Sequence, residues 1–238
     1  MVQKHTERKP LPVLSMYRIT ARLFTHVEKS VIASFGDEAA NKVEQGVSRF
    51  GHDLAQNISV RAAEEGEVHN LDKYIPEDVE KKKLEQDEAT VYSQMAKLFG
   101  QVTKAVVDEY GEKGKDAVRE GVRTFGEARG KGIAARAAHL GQDNTIENYL
   151  SNYDMARSEL FDMETEHYPE VIEQTFTKCP FGQQWADDDM GEYGILYCEM
   201  IDPSIARGYN KDFEVDHDQY VLREGVCEFK FKLKKTNR

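Results

Sequence analysis

Gly46-Val47-Ser48-Arg49-Phe50-Gly51 returns 75 residues later as Gly121-Val122-Arg123-Thr124-Phe125-Gly126. Working outward from this hexamer, residues 23–75 lie over residues 98–150 without a gap. Leu23-Phe24 falls on Leu98-Phe99, Val27 on Val102, Gly36 on Gly111, Gly66 on Gly141 and Tyr74 on Tyr149. Arg61-Ala62-Ala63 falls on Arg136-Ala137-Ala138, and about a third of the overlaid positions are identical. Two copies are too few for a solenoid. One copy is therefore expected to supply a packing partner for the other, making the chain an internal pseudo-dimer, with the chemistry outside the repeat.

A length of 238 residues, 39% hydrophobic and 32% charged, suits an ordered chain able to bury a core. The net charge of -11 argues against binding nucleic-acid phosphates or an anionic membrane surface. No apolar run is long enough to span a bilayer, and the polar start at 1–8 lacks a secretion core, so a cytoplasmic location is expected. Cys179, Cys198 and Cys227 are odd in number and lack short pairing, as expected of reduced thiols. Their scatter gives no chelating pair. No cofactor is expected, although a divalent metal held by the cysteines and His217 stays open.

Residues up to about 155 carry helical periodicity, as in Leu98, Val102, Ala105 and Val106, with Gly111 as a stop. Gly126 and Gly130 lie four apart inside a helical pattern, which calls for a close backbone neighbour or for room for a ligand. Asn144 and Glu147 resemble a capping box opening a helix with Ile146, Tyr149, Leu150 and Tyr153. The charged run 76–88 reads as a solvated linker or helix start.

Past 156 the period changes. Strands are expected at 161–167, 171–177, 194–200, 213–222 and 227–233, with a turn at Tyr168-Pro169-Glu170. Pro180 opens a short helix, and Asp202-Pro203 opens another that Gly208 closes. Cys227, Phe229, Phe231 and Leu233 alternate with Glu228, Lys230 and Lys232. A three-residue loop, Arg223-Glu224-Gly225, pairs Val221 with Cys227, Gln219 with Phe229 and His217 with Phe231. This register keeps Asp216 and Asp218 out of the core and turns His217 and Gln219 inward. The expected architecture is α+β: a helical half with the duplication, then a mainly antiparallel sheet of about five strands. The division falls at 1–97 for the first copy with its linker and 98–238 for the rest.

Cys179 precedes Pro180 near a helix cap, where backbone N–H groups favour a thiolate; it otherwise plugs a strand end. Cys227 is in phase with core residues. It lies about 13 Å along the hairpin from His217 at ordinary strand rise, too far for a dyad between them. His217, flanked by Asp216 and Asp218, is either a base or a satisfied core histidine.

Taken jointly, Cys179-Pro180-Phe181, Trp185, Tyr197-Cys198, Asp202-Pro203, Gly208-Tyr209-Asn210 and Gly225-Val226-Cys227-Glu228-Phe229 resemble the L-2-amino-thiazoline-4-carboxylic acid hydrolase family. The resemblance covers about 98–233 and leaves the first copy outside. It implies opening of a cyclic amidine, a C–N compound with a thiazoline carboxylate as type substrate, to a carbamoyl amino acid. Cys179, Cys227 and His217 become catalytic candidates, and Asp202, Arg207, Asn210 and Gln219 substrate-binding ones. The expected partner is a small-molecule substrate, met by a monomer or a homodimer. The ending Gly-x-Cys-x-Phe (Gly225 to Phe229) is also similar to the small-molecule-binding domains of the vinyl-reductase type, which implies a non-catalytic sensory module instead.

Overall fold

The protein is described by a computed structural model that covers residues 8–156, 159–168 and 170–233. Helix α1 (Met16–Phe35) starts where the Arg18 backbone N–H donates to the Ser15 hydroxyl and ends at Gly36, φ 85°. Helices α2 (Ala40–Phe50) and α3 (His52–Glu64) are separated by Gly51, φ 110°. The charged run then leads to α4 (Glu88–His139), which Asp87 caps by accepting from the Thr90 N–H. Gly111, φ 57°, bends α4 at the position where Gly36 ends α1 in the first copy. Gly126, the counterpart of Gly51, stays helical. An added Cβ there would lie 2.6 Å from the Ser204 Cβ, so close packing replaces the break.

The two copies pack on each other reciprocally. A Cβ on Gly46 would lie 2.5 Å from the Val102 Cα and 3.0 Å from the Gln101 carbonyl oxygen. A Cβ on Gly121 would lie 2.6 Å from the Val27 Cα and 3.1 Å from the His26 oxygen, the equivalent atoms of the other copy. Phe35 stacks on its own counterpart, Tyr110, with centroids 3.8 Å apart and planes 5° apart. These are the self-complementary contacts of a two-fold dimer, made within one chain.

After α5 (Ile146–Ser151) come β1 (Asp162–His167), β2 (Val171–Lys178), α6 (Pro180–Asp187), α7 (Gly191–Tyr209), β3 (Phe213–Gln219), the helical turn α8 (Val221–Glu224) and β4 (Cys227–Leu233). Thr145, one residue later than expected, holds the N-cap position of α5 without a side-chain bond to the helix N–H groups, while the Asn144 side chain donates to the Tyr209 carbonyl. The turn expected at 168–170 includes Pro169, outside the described residues. The strands form one antiparallel sheet in the order β1-β2-β4-β3. The class is α+β, as expected.

The sheet has four strands rather than five. Residues 194–200 belong to α7, which also runs through Asp202-Pro203 rather than starting there. A short apolar run fits either period, and tertiary packing decides. Gly194, Tyr197, Ile201, Ser204 and Gly208 share the α7 face turned to its neighbours, and Gly126 and Gly130 on α4 admit it at backbone contact. Proline inside a helix forfeits one hydrogen bond, a loss this buried crossing outweighs.

The hairpin differs too. Tyr220–Gly225 makes the helical turn with Gly225 left-handed (φ 78°), so β3 ends early and its register slides by two residues. His217 lies opposite Phe229 and Val215 opposite Phe231. A slide of two preserves the faces, so His217 still points inward. An irregularity between His217 and Gln219 then removes Gln219 from that face: it pairs with Glu228, and its side-chain amide donates to the Glu228 carboxylate at 3.1 Å.

Candidate functional site

Between the inner face of the sheet and the helices lies a cavity of about 380 Å³, within the range of small-molecule sites. Cys179, Cys198, Cys227, His217 and Asp202 all line it, from α6, α7, β4 and β3. These side chains are far apart in sequence and meet only because the sheet folds back on α7. Much of the remaining wall is aromatic: Phe161, Phe176, Phe181, Trp185, Phe229 and Phe231. Trp185 is fully buried and anchored by its indole N–H donating to the Ala96 carbonyl at 2.7 Å. Among the described residues no three His, Cys, Asp or Glu side chains are grouped to hold a metal ion. No helix among them is long and apolar enough to cross a membrane.

Cys179 does occupy the α6 cap, where its Sγ accepts from the Gly182 N–H at 3.5 Å. Of the two alternatives for Cys179, the cap position does not by itself produce a thiolate. Burial pushes the Cys179 thiol up, outweighing the Gly182 and Phe181 N–H groups that pull it down. Burial pushes Cys227 up to about 12 although the Val221 N–H donates to its sulfur at 3.1 Å. Cys198 rises well above its ordinary value through burial and then the nearby Cys179 and Cys227. All three are thiols at neutral pH.

Asp202 stands among them on α7. Burial raises its carboxyl to about 6, partly offset by Arg129 and by its own backbone N–H. An acid raised in the folded state binds its proton more tightly there than in the unfolded chain. Below the ordinary value of 3.8 both states are protonated and stability is unaffected; between 3.8 and about 6 a penalty grows; above that it is constant. Asp202→Asn is therefore expected to gain about 3 kcal/mol over the parent at pH 7.5 and almost nothing at pH 4, read from urea midpoints. Equal gains at both values would show that the carboxyl is not raised.

Arg207, Asn210 and Gln219 do not line the cavity. Arg207 lies on the outer side of α7, its Nε 3.8 Å from Glu127 and its Nη2 donating to the Ser204 hydroxyl. Asn210 fastens the end of α7, donating to the Asn144 carbonyl and accepting from the Asp212 N–H. Gln219 is spent on Glu228. Other residues line the cavity instead. Arg129 on α4 lines the cavity at 2% exposure and pairs with Asp154, Nε donating to Oδ2 at 3.0 Å and Nη2 to Oδ1. Tyr149 and Tyr153 line the same region. The available signal was a charge inside the glycine face: Arg129 stands between Gly126 and Gly130, where the first copy has Leu54.

Fold and site together define an α+β protein that encloses a small-molecule cavity between a sheet and a helical layer. A family model described as L-2-amino-thiazoline-4-carboxylic acid hydrolase matches residues 91–231, and the chain belongs to that family. The first copy lies outside the match. No curated protein matches the chain. Among solved structures, a mutant H-NOX protein from S. oneidensis in the Fe(II) ligation state is 12% identical, with 92% of this chain and 97% of that chain covered and a TM-score of 0.43. An H-NOX protein from S. oneidensis in the Fe(II)NO state is 13% identical, with 90% and 99% covered and a TM-score of 0.41. Likeness at these scores carries no argument about this chain.

Proposed function

We propose that the protein hydrolyses a small cyclic amidine of the 2-amino-thiazoline-carboxylate type. The observation that carries this reading is the convergence of Asp202, His217, Cys179 and Cys227 on one cavity of ring-compound size. The ring carbon between sulfur and nitrogen is the electrophile. Asp202, ionised above about pH 6, takes a proton from water as the water oxygen bonds to that carbon. The ring carbon–sulfur bond then breaks, and the sulfur leaves as a thiol with the proton returned from Asp202. The product is a carbamoyl amino acid, in which both nitrogens remain on the former ring carbon. The raised thiols speak against a resting thiolate nucleophile and suit neutral contacts to the ring. His217 presents its ring from β3 against Phe229, with centroids 3.9 Å apart, on the opposite wall.

The test is turnover of a panel of cyclic amidines, imides and lactams, read as release of free thiol for the thiazolines and as the ring-opened product by mass for the others. Asp202→Asn is expected to lose about 100-fold or more, as removal of a general base does, while Cys179→Ala retains most activity. Full loss in Cys179→Ala, with a covalent adduct detected by mass, would replace this mechanism with the thiolate route. Unchanged turnover in His217→Asn would leave that residue a wall contact. A second reading, a binding or sensory module without turnover, is favoured by the largely aromatic wall and the protonated thiols. Saturable binding of the panel with no product would establish it.

A further inference from the structure

The internal repeat allows one tyrosine to be compared with itself. In the first copy, the Tyr74 hydroxyl donates to the buried Glu28 carboxylate at 2.9 Å. In the second copy, Tyr149 takes the place of Tyr74, but the position of Glu28 is Thr103, which carries no carboxylate. The Tyr149 hydroxyl is buried without a hydrogen-bond partner, and the Thr103 hydroxyl likewise. Tyr149 as a whole is 1% exposed, yet it lines the cavity. A buried hydroxyl without an acceptor is disfavoured and rarely kept without a use.

Beside it stands Arg129. Its guanidinium carbon lies 5.3 Å from the Tyr153 ring centroid, and the Tyr149 ring lies 5.7 Å from the same ring. Both side chains thus neighbour the Tyr153 ring, and both line the cavity. Asp154 accepts from Nε and Nη2 of Arg129, which leaves further guanidinium N–H donors at a cavity-lining residue. The Arg129–Asp154 pair is formally neutral, so the site offers directed donors more than net charge.

We propose that Tyr149 and Arg129 form the subsite for a carboxylate carried by the ligand, which supplies in the second copy the acceptor that Glu28 supplies in the first. The subsite sets orientation: with the carboxylate held there, the rest of a small ring faces Asp202 and the thiols. The inference deepens the hydrolase reading and rests on it for the identity of the ring, whereas the preference for a carboxylate is tested without turnover.

Trp185 is the chain's only tryptophan and lines the cavity, so its fluorescence reports occupancy. The full chain is titrated with 2-amino-thiazoline-4-carboxylate against neutral 2-amino-thiazoline, and with benzoate against benzamide. The carboxylate of each pair is expected to bind about 10-fold more tightly, as one hydrogen bond to a charged group supplies, and Tyr149→Phe is expected to erase that preference. Tyr149→Phe should melt at or above the parent temperature, because it removes an unpartnered hydroxyl. Tyr74→Phe, which takes from buried Glu28 one of its two donors and leaves only Asn70, should melt lower. A carboxylate preference that survives in Tyr149→Phe, or its absence from the parent protein, overturns the subsite. Preferential binding of the thiazoline carboxylate without release of thiol supports the subsite and removes hydrolysis.

Discussion

Asp154→Ala is expected to destabilise the fold by about 3–5 kcal/mol, the usual cost of leaving one member of a buried ion pair alone. Arg129 is 2% exposed and Asp154 3%, so water cannot replace the lost carboxylate. Burial alone would lower the Arg129 pKa, and Asp154 is the largest influence holding it well above its ordinary value. Removing Asp154 takes that support away, but a guanidinium is too basic to give up its proton at neutral pH, so the variant carries a buried charge without its partner. The double variant Arg129→Met with Asp154→Ala removes the stranded charge and should recover most of the loss. Urea denaturation of the parent, both single variants and the double variant closes the cycle. A loss under about 1 kcal/mol in Asp154→Ala would mean that water or another acceptor reaches Arg129.

Gly130→Ala is expected to cost about 3 kcal/mol or more, at or beyond the upper end of overpacking. The added methyl would overlap the Ile205 carbonyl oxygen and lie 2.5 Å from the Tyr209 nitrogen. These are backbone atoms of α7 and cannot rotate aside. The gain of about 1 kcal/mol that alanine brings to a helix is too small to compensate. Because α7 carries Cys198 and Asp202, any displacement also misplaces one wall of the cavity, so ligand binding should weaken together with stability. Gly132, two residues further along α4, provides the control. A Cβ there meets nothing within 4 Å, so Gly132→Ala should stabilise by about 0.5–1 kcal/mol. Stability curves of the two variants moving in the same direction would contradict the packing account.

The repeat was legible because backbone conformation and close packing write themselves into glycine. Gly36 and Gly111, like Gly66 and Gly141, take positive φ at matching positions, and Gly46 and Gly121 mark the same crossing from its two sides. Strands β1, β2 and β4 and the inward face of His217 were legible from period-two alternation. The segment 194–200 was not, since a run such as Gly-Ile-Leu-Tyr-Cys satisfies both periods until α4 supplies the surface it packs on. Three of the substrate-binding candidates left the cavity for the same kind of reason. Arg207, Asn210 and Gln219 found nearer partners in Glu127, Asn144 and Glu228, and local sequence does not reveal a competitor from another element.

By itself the sequence determined the duplication, the α+β class and the family, all of which rest on local periodicity and on short motifs read in order. Only the tertiary structure decided which side chains face one another, and with that the protonation of the thiols, the raised carboxyl of Asp202 and the company of Arg129 and Tyr149. The physical reason is range. Helix caps and strand alternation act over a few residues, whereas desolvation and charge pairing depend on everything within several ångströms, most of it contributed by distant parts of the chain.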